Sequence, residues 1–179
     1  NILPDAADHE IERYVGQFRS QYDAGIYKLE FVTNAEGIAT VYNNGPSSCM
    51  SKDIDDFRTG GIHPCSVYGY DNDIAIAYVQ SGDQRVVSRA VVNTKDKTLY
   101  TVYGDADILK QLLSDNGYSR DDQFLIGQKI TKIEHDNGYV LPYFDGESRY
   151  VEDHNDHFVI TCDETNIEAC SEYGYVSIQ

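Results

Sequence analysis

Residues 73–103 read DIAIAYVQSGDQRVVSRAVVNTKDKTLYTVY, three apolar runs set apart by short polar turns. The first run, Ile74-Ala75-Ile76-Ala77-Tyr78-Val79, is unbroken, which suits a central strand covered on both faces. Arg85–Asn93 follows it across Ser81-Gly82-Asp83-Gln84, and Thr98–Tyr103 follows across Thr94-Lys95-Asp96-Lys97. Such connections are too short for a crossover, so they predict an antiparallel meander, with Ser66–Tyr70 as a further strand entering through Asp71-Asn72.

Outward from this sheet, Ile11, Tyr14, Val15, Phe18 and Tyr22 recur at helical spacing, predicting an amphipathic helix over 5–22 with Pro4 and Asp5 at its entry. Tyr27–Thr33 and Ile38–Tyr42 flank Asn34-Ala35-Glu36-Gly37, which reads as a hairpin. Residues 43–65 are punctuated by Asn43-Asn44-Gly45-Pro46, Gly60-Gly61 and Pro64, a long loop of the kind that often carries function. Over Asp105–Ser114, Ile108, Leu109, Leu112 and Leu113 share one helical face, and Gly117 follows the end. Beyond Lys129 come short strands at Lys129–Glu134, Tyr139–Leu141, Tyr150–Glu152, Phe158–Thr161 and Gly174–Ile178, with Asn137-Gly138 and Asp145-Gly146 as turns. The expectation is an α+β fold: an antiparallel sheet meander with two packed helices in 1–118, and a smaller β-rich C-terminal subdomain, 119–179, packed on it. Ile74, Ile76, Val79, Val87, Val91, Ile108 and Leu112 are expected in the core.

The 179 residues, 41% of them hydrophobic, suffice for a real core, since a chain of this size buries about 70% of its unfolded surface. Fourteen basic against 30 acidic residues give a net charge of −16, which disfavours direct binding to nucleic acid or to anionic membranes. No apolar run approaches the ~20 residues of a membrane span, and residues 1–20 lack the pattern of a secretion signal, so a soluble protein is expected. Cys49, Cys65, Cys162 and Cys170 form two separated pairs, suiting two local disulfides in an exported protein or four thiols in a cytosolic one; thiols fit the lack of an export signal better.

Ser48-Cys49-Met50, His63-Pro64, Val67-Tyr68, Ala75 with Tyr78, Arg89-Ala90, Tyr103-Gly104-Asp105, Gly117-Tyr118 and Tyr139-Val140-Leu141-Pro142-Tyr143-Phe144-Asp145-Gly146 stand in an order that resembles a group of uncharacterised tailed-bacteriophage accessory proteins. The resemblance spans about residues 46–157. It implies a phage product acting in the cytoplasm of the bacterial host and brings no catalytic residues with it. It also implies a cysteine-rich tail, of which this chain has only Cys162 and Cys170.

Three chemistries compete for the remaining residues. Cys49, His63 and Cys65 combine a nucleophile with a base, because a thiol attacks as the thiolate that a neighbouring His promotes; the alternative is that both thiols are packing residues and His63 bonds a loop carbonyl. No metal is expected: the cysteines lack close zinc-type pairing, and His154 and His157 read as a solvated hairpin tip. No cofactor is expected either, since Gly60-Gly61 lacks the Lys-Ser/Thr of a phosphate loop. Arg89 is expected on the exposed face of its strand with Arg85, the alternative being a buried cation with a partner. Asp105 reads as a helix cap.

The third chemistry is charge. Asp53, Asp55, Asp56, Asp121, Asp122, Asp145, Glu152 and Asp153, with Asp156, Asp163, Glu164 and Glu147, are dispersed acidic groups able to imitate a phosphate array. Fifteen tyrosines and no tryptophan supply interface anchors. The favoured expectation is therefore a binder of a host protein, one with a basic nucleic-acid-binding cleft, rather than an enzyme. A phage enzyme using the Cys49–Cys65 loop and a structural virion component are the alternatives.

Overall fold

The computed structural model describes residues 12, 13, 16, 27–51, 61–71, 73–135, 138–144 and 149–169, and the backbone of 175–177. In chain order the elements are β1 (Lys28–Val32), α1 (Ala35–Asn43), a 3₁₀ segment (Pro64–Tyr70), β2 (Ile74–Gln80), β3 (Val86–Asn93), β4 (Thr98–Leu99), β5 (Tyr103–Gly104), α2 (Ala106–Asp115), β6 (Ser119–Arg120), β7 (Lys129–Thr131), β8 (Glu134–His135), β9 (Gly138–Val140), β10 (Tyr150–Asp153), β11 (His157–Thr161), β12 (Ile167–Glu168) and β13 (Tyr175–Ser177). The fold is α+β. Its main sheet runs β1-β2-β3-β4-β6, with β5 also on β3, and a second sheet runs β12-β10-β11-β7. The third, β13-β9-β8, contains the expected hairpin around position 137.

The central strand is buried on both faces, as its unbroken apolar run implies. Ile74 and Ile76 join Val91, the α1 residues Ile38, Val41 and Tyr42, and second-sheet residues such as Ile130, Val151 and Phe158 in one cluster. Ala75, Ala77 and Val79 face the other way, with Ala90, Val92, Leu109 and Leu113. The alanines leave room for α2 to lie close to the sheet, and each fully buried Leu, Ile or Val contributes about 1.5–3 kcal/mol.

Four local expectations are corrected. Ile38–Tyr42 is helix, not the second arm of a hairpin: the Asn34 side chain accepts from the Gly37 N–H at 2.8 Å, capping α1, and Ile38, Val41 and Tyr42 bury one helical face. Ser66–Tyr70 is not a strand but part of the 3₁₀ segment, opened by Pro64 and capped by the His63 side chain. Gly69 sits so close to the Ala35 backbone that a Cβ would collide with it, which locks this segment against α1. Thr98–Tyr103 splits into β4 and β5: between Leu99 opposite Val92 and Tyr103 opposite Arg89 lie residues 100–102 on one strand and only 90–91 on the other. On α2, Leu109 and Leu113 are buried, whereas Ile108 and Leu112, expected in the core, are half-buried, as is Val87.

Of the helix expected over 5–22, Glu12, Arg13 and Gly16 are helical and the remainder lies outside the described residues. Among the described residues no helix is long and apolar enough to cross a membrane.

Candidate functional site

Arg89 of β3, the loop that leaves α1, His63 and several tyrosines converge on one cluster beside α1. Arg89 points from β3 into the core and is fully buried, correcting its expected exposure. Its Nη1 donates to the Pro46 carbonyl at 2.8 Å and Nη2 to the Ser48 hydroxyl at 3.1 Å. The guanidinium lies 4.3 Å from the Tyr42 ring centroid and 5.1 Å from that of Tyr103. Aromatic faces attract a cation, and carbonyl and hydroxyl oxygens accept its protons, so the charge is accommodated where water is excluded. Gly104, with φ +85°, follows Tyr103; a Cβ there would strike the Val87 carbonyl and Pro46, so only glycine lets β5 close over this loop.

The loop of residues 46–51 is thereby pinned from several sides. Ser51 Oγ donates to the Tyr42 carbonyl at 3.1 Å, and His63 Nε2 donates to the Met50 carbonyl at 2.8 Å. His63 Nδ1 accepts from the Cys65 N–H at 3.2 Å, which assigns the neutral tautomer with its proton on Nε2. Burial, reinforced by the Arg89 charge, holds this imidazole below the usual histidine range against the opposing bond to Met50. With both nitrogens engaged in the backbone, His63 is a structural strut. Cys65 is a fully buried thiol, while Cys49 and Cys162 are exposed thiols. Cys49 Sγ donates to the Tyr143 hydroxyl at 2.9 Å, not to an imidazole. Tyr68 in turn donates to the Tyr143 carbonyl at 2.5 Å, tying the 3₁₀ segment to residues 141–144. Of the three residues weighed for thiol chemistry, Cys65 is a buried thiol and His63 bonds the Met50 carbonyl, whereas Cys49 is exposed rather than a packing residue. Tyr42, Tyr68, Tyr103 and Tyr143 form the frame of the cluster, and only the tyrosine-rich, tryptophan-free composition hinted at them.

The acidic candidates fall in different places. Asp53, Asp55, Asp56 and Asp145 lie outside the described residues. Asp121 is half-buried and accepts from the Gln123 N–H at 2.8 Å; exposed Asp122 pairs with Arg120 at 3.2 Å. Glu152 and Asp153 sit on β10, pointing to opposite faces of the second sheet. Asp153 pairs with Lys132, whose side chain is only 6% exposed, and that ammonium also donates to the His154 carbonyl and lies 4.5 Å from the Tyr139 ring centroid. Glu152 is exposed, 3.4 Å from His154 Nε2. His154 and His157 stack at 4.9 Å at the hairpin tip, and His157 Nδ1 meets the Asp156 carboxylate at 2.7 Å.

Residues 150–169 contain six acidic residues, Glu152, Asp153, Asp156, Asp163, Glu164 and Glu168, and no Lys or Arg. All but Asp153 lack an ion pair with Lys or Arg among the described residues. Because Tyr150 lies opposite Glu168 and Thr161, with Glu152 two residues on, Glu152 and Glu168 share the outward face of adjacent strands. Asp156, Asp163 and Glu164 occupy the turns at the two ends of β11. Among the described residues no group of three or more His, Cys, Asp or Glu side chains is arranged to hold a metal ion. Comparison with protein-family models, with curated proteins and with solved structures gives no match for this chain.

Proposed function

We propose that this protein works by binding, presenting the acidic β10–β12 side of its second sheet and the turns that flank β11 to a basic partner protein, one whose cleft ordinarily receives a nucleic-acid backbone. The observation that carries this reading is the concentration of five exposed carboxylates on β10, β12 and the adjoining turns in a stretch without Lys or Arg. Grouped like charges raise the local field, and that field attracts a complementary surface before contact. The resemblance to phage accessory proteins sets the partner in a bacterial host. Thiol catalysis draws no support from His63, whose two ring nitrogens engage the Met50 carbonyl and the Cys65 backbone N–H.

The test is capture from a bacterial lysate on the immobilised protein at about 0.1 M salt and release at about 1 M, where the Debye length falls from about 10 to about 3 Å. A parallel column carries the variant E152Q/D156N/D163N/E164Q. Basic nucleic-acid-binding proteins held by the first column and not by the second are the expected result. Equal capture by both columns, or capture indifferent to salt, would overturn the acidic-face reading.

A further inference from the structure

Away from the acidic strands, a cleft of about 300 Å³ opens between α1 and the β2–β3 end of the main sheet, at the small end of the range for ligand sites. Three valines contribute its apolar lining; its polar groups include Asn34, Glu36, Asn44, Tyr78 and Gln84, besides Thr40 and Gln80, whose side chains bond backbone carbonyls. Asn34 uses its side-chain oxygen to cap α1, which leaves its NH₂ available. Among the described residues no partner engages the Tyr78 hydroxyl or the side-chain amides of Asn44 and Gln84. Gln84 stands at φ 65°, a conformation that favours glycine or asparagine, and is held by Gln80 Nε2 donating to its carbonyl at 3.2 Å and by its own N–H donating to Ser81 O at 2.8 Å.

We propose that this cleft is a binding site for a neutral saccharide unit. Among the described residues no Lys or Arg lines it, so a phosphate or carboxylate ligand would meet Glu36 without a counter-charge from the lining. Side-chain amides and a phenol each donate and accept, which matches the vicinal hydroxyls of a sugar ring, and the half-buried Tyr78 ring offers an apolar face to the sugar's C–H groups. Burial, with Glu30 beside it, holds the Tyr78 hydroxyl above the usual tyrosine range, so it stays a neutral donor. An extended peptide fits less well. The backbone of α1 is engaged in its own helix and that of β2 in ladders with β1 and β3, so no strand edge is offered here for a peptide to extend.

The experiment is an amide-resolved NMR titration of the whole chain with methyl α-D-glucopyranoside, methyl α-D-mannopyranoside, methyl β-D-galactopyranoside and N-acetyl-D-glucosamine. At least one should give saturable shifts confined to residues 34–44 and 78–86, with a Kd on the order of millimolar. Tyr78→Phe keeps the ring and removes a hydroxyl that has no hydrogen-bond partner among the described residues. Gln84→Gly removes the amide and relaxes the backbone. Each should retain the folded spectrum and weaken binding about 3- to 10-fold, the worth of one hydrogen bond. No saturable shift with any of the four sugars, sugar binding unchanged in both variants, or the same shifts produced by N-acetylglycine methylamide or by inorganic phosphate would each overturn the proposal.

Discussion

The Arg89 guanidinium stands 4.3 Å from the ring of Tyr42, so a residue near the C-terminus of α1 covers a fully buried cation on the adjacent sheet. Its bonds to Pro46 and Ser48 make that cation the anchor of the loop leaving the helix. Arg89→Ala should cost about 3–5 kcal/mol, because it leaves buried acceptors unmet and opens a cavity. Arg89→Lys keeps the charge but loses the planar fork, and should cost about 1–3 kcal/mol. Urea denaturation measures both, and proteolysis near residues 46–51 should quicken in the same order. A neutral outcome for Arg89→Ala would refute the anchoring role.

Arg89 also shows where sequence reading stops. Period two places residue 89 on the face opposite Ser88 and Ala90, but it does not say that α1 covers that face, because the Ile38–Tyr42 segment reads equally as strand. The Ala-rich central strand, both meander turns, α2 and the C-terminal strands other than β12 were visible as patterns, since each depends on neighbours in sequence. The covered faces, the 3₁₀ segment and the roles of Cys49, His63 and Cys65 depend on Tyr143, Met50 and Ala35, which no local pattern links to them.

Burial on α2 separates neighbours that share a helical face. Leu109→Ala and Leu113→Ala, like Ile76→Ala in β2, empty fully buried sites and should each cost about 2–5 kcal/mol. Ile108→Ala and Leu112→Ala act on half-buried side chains and should cost clearly less. Equal losses across the four α2 variants would contradict the orientation of the helix.

Buried His63 and half-buried Asp71 give opposite pH dependences. His63 is held neutral, so below the ordinary histidine value of 6.5 the unfolded chain takes up a proton that the folded chain refuses. Its contribution to stability is therefore present at higher pH and is lost as pH falls from that value toward the lowered folded one. Asp71 is the reverse. One of its oxygens is buried without a hydrogen bond, and burial, with Asp73 nearby, raises its carboxyl above 3.8 despite a bond from the Thr131 backbone. The folded state holds that proton more tightly, so stability is greatest below 3.8 and declines as pH rises through the raised folded value. His63→Asn keeps an acceptor for the Cys65 N–H and should flatten the slope below neutrality. Asp71→Asn should remove the opposing acid-side slope and gain stability relative to wild type as the pH approaches neutrality. Denaturant midpoints measured from pH 3 to 8 read both; slopes unchanged in either variant would count against the corresponding assignment.

Glu152 and Asp153 are adjacent carboxylates with different duties, and the difference isolates binding from folding. Asp153 neutralises Lys132, whose side chain is almost wholly buried, so Asp153→Asn leaves an ammonium without its counter-ion and should destabilise the fold by about 1–3 kcal/mol. Glu152 faces solvent on the acidic side of the sheet, and Glu152→Gln should leave stability within about 0.5 kcal/mol. If that face meets a basic partner, Glu152→Gln combined with Asp156→Asn, Asp163→Asn and Glu164→Gln should slow association and make its salt dependence shallower. Dissociation should change less, because long-range attraction acts chiefly on the encounter. Association kinetics with the captured partner between about 0.05 and 0.5 M salt resolve the two effects, since screening within a Debye length governs the first and packing the second. An association rate unmoved by all four neutralisations would remove the acidic face from the interface.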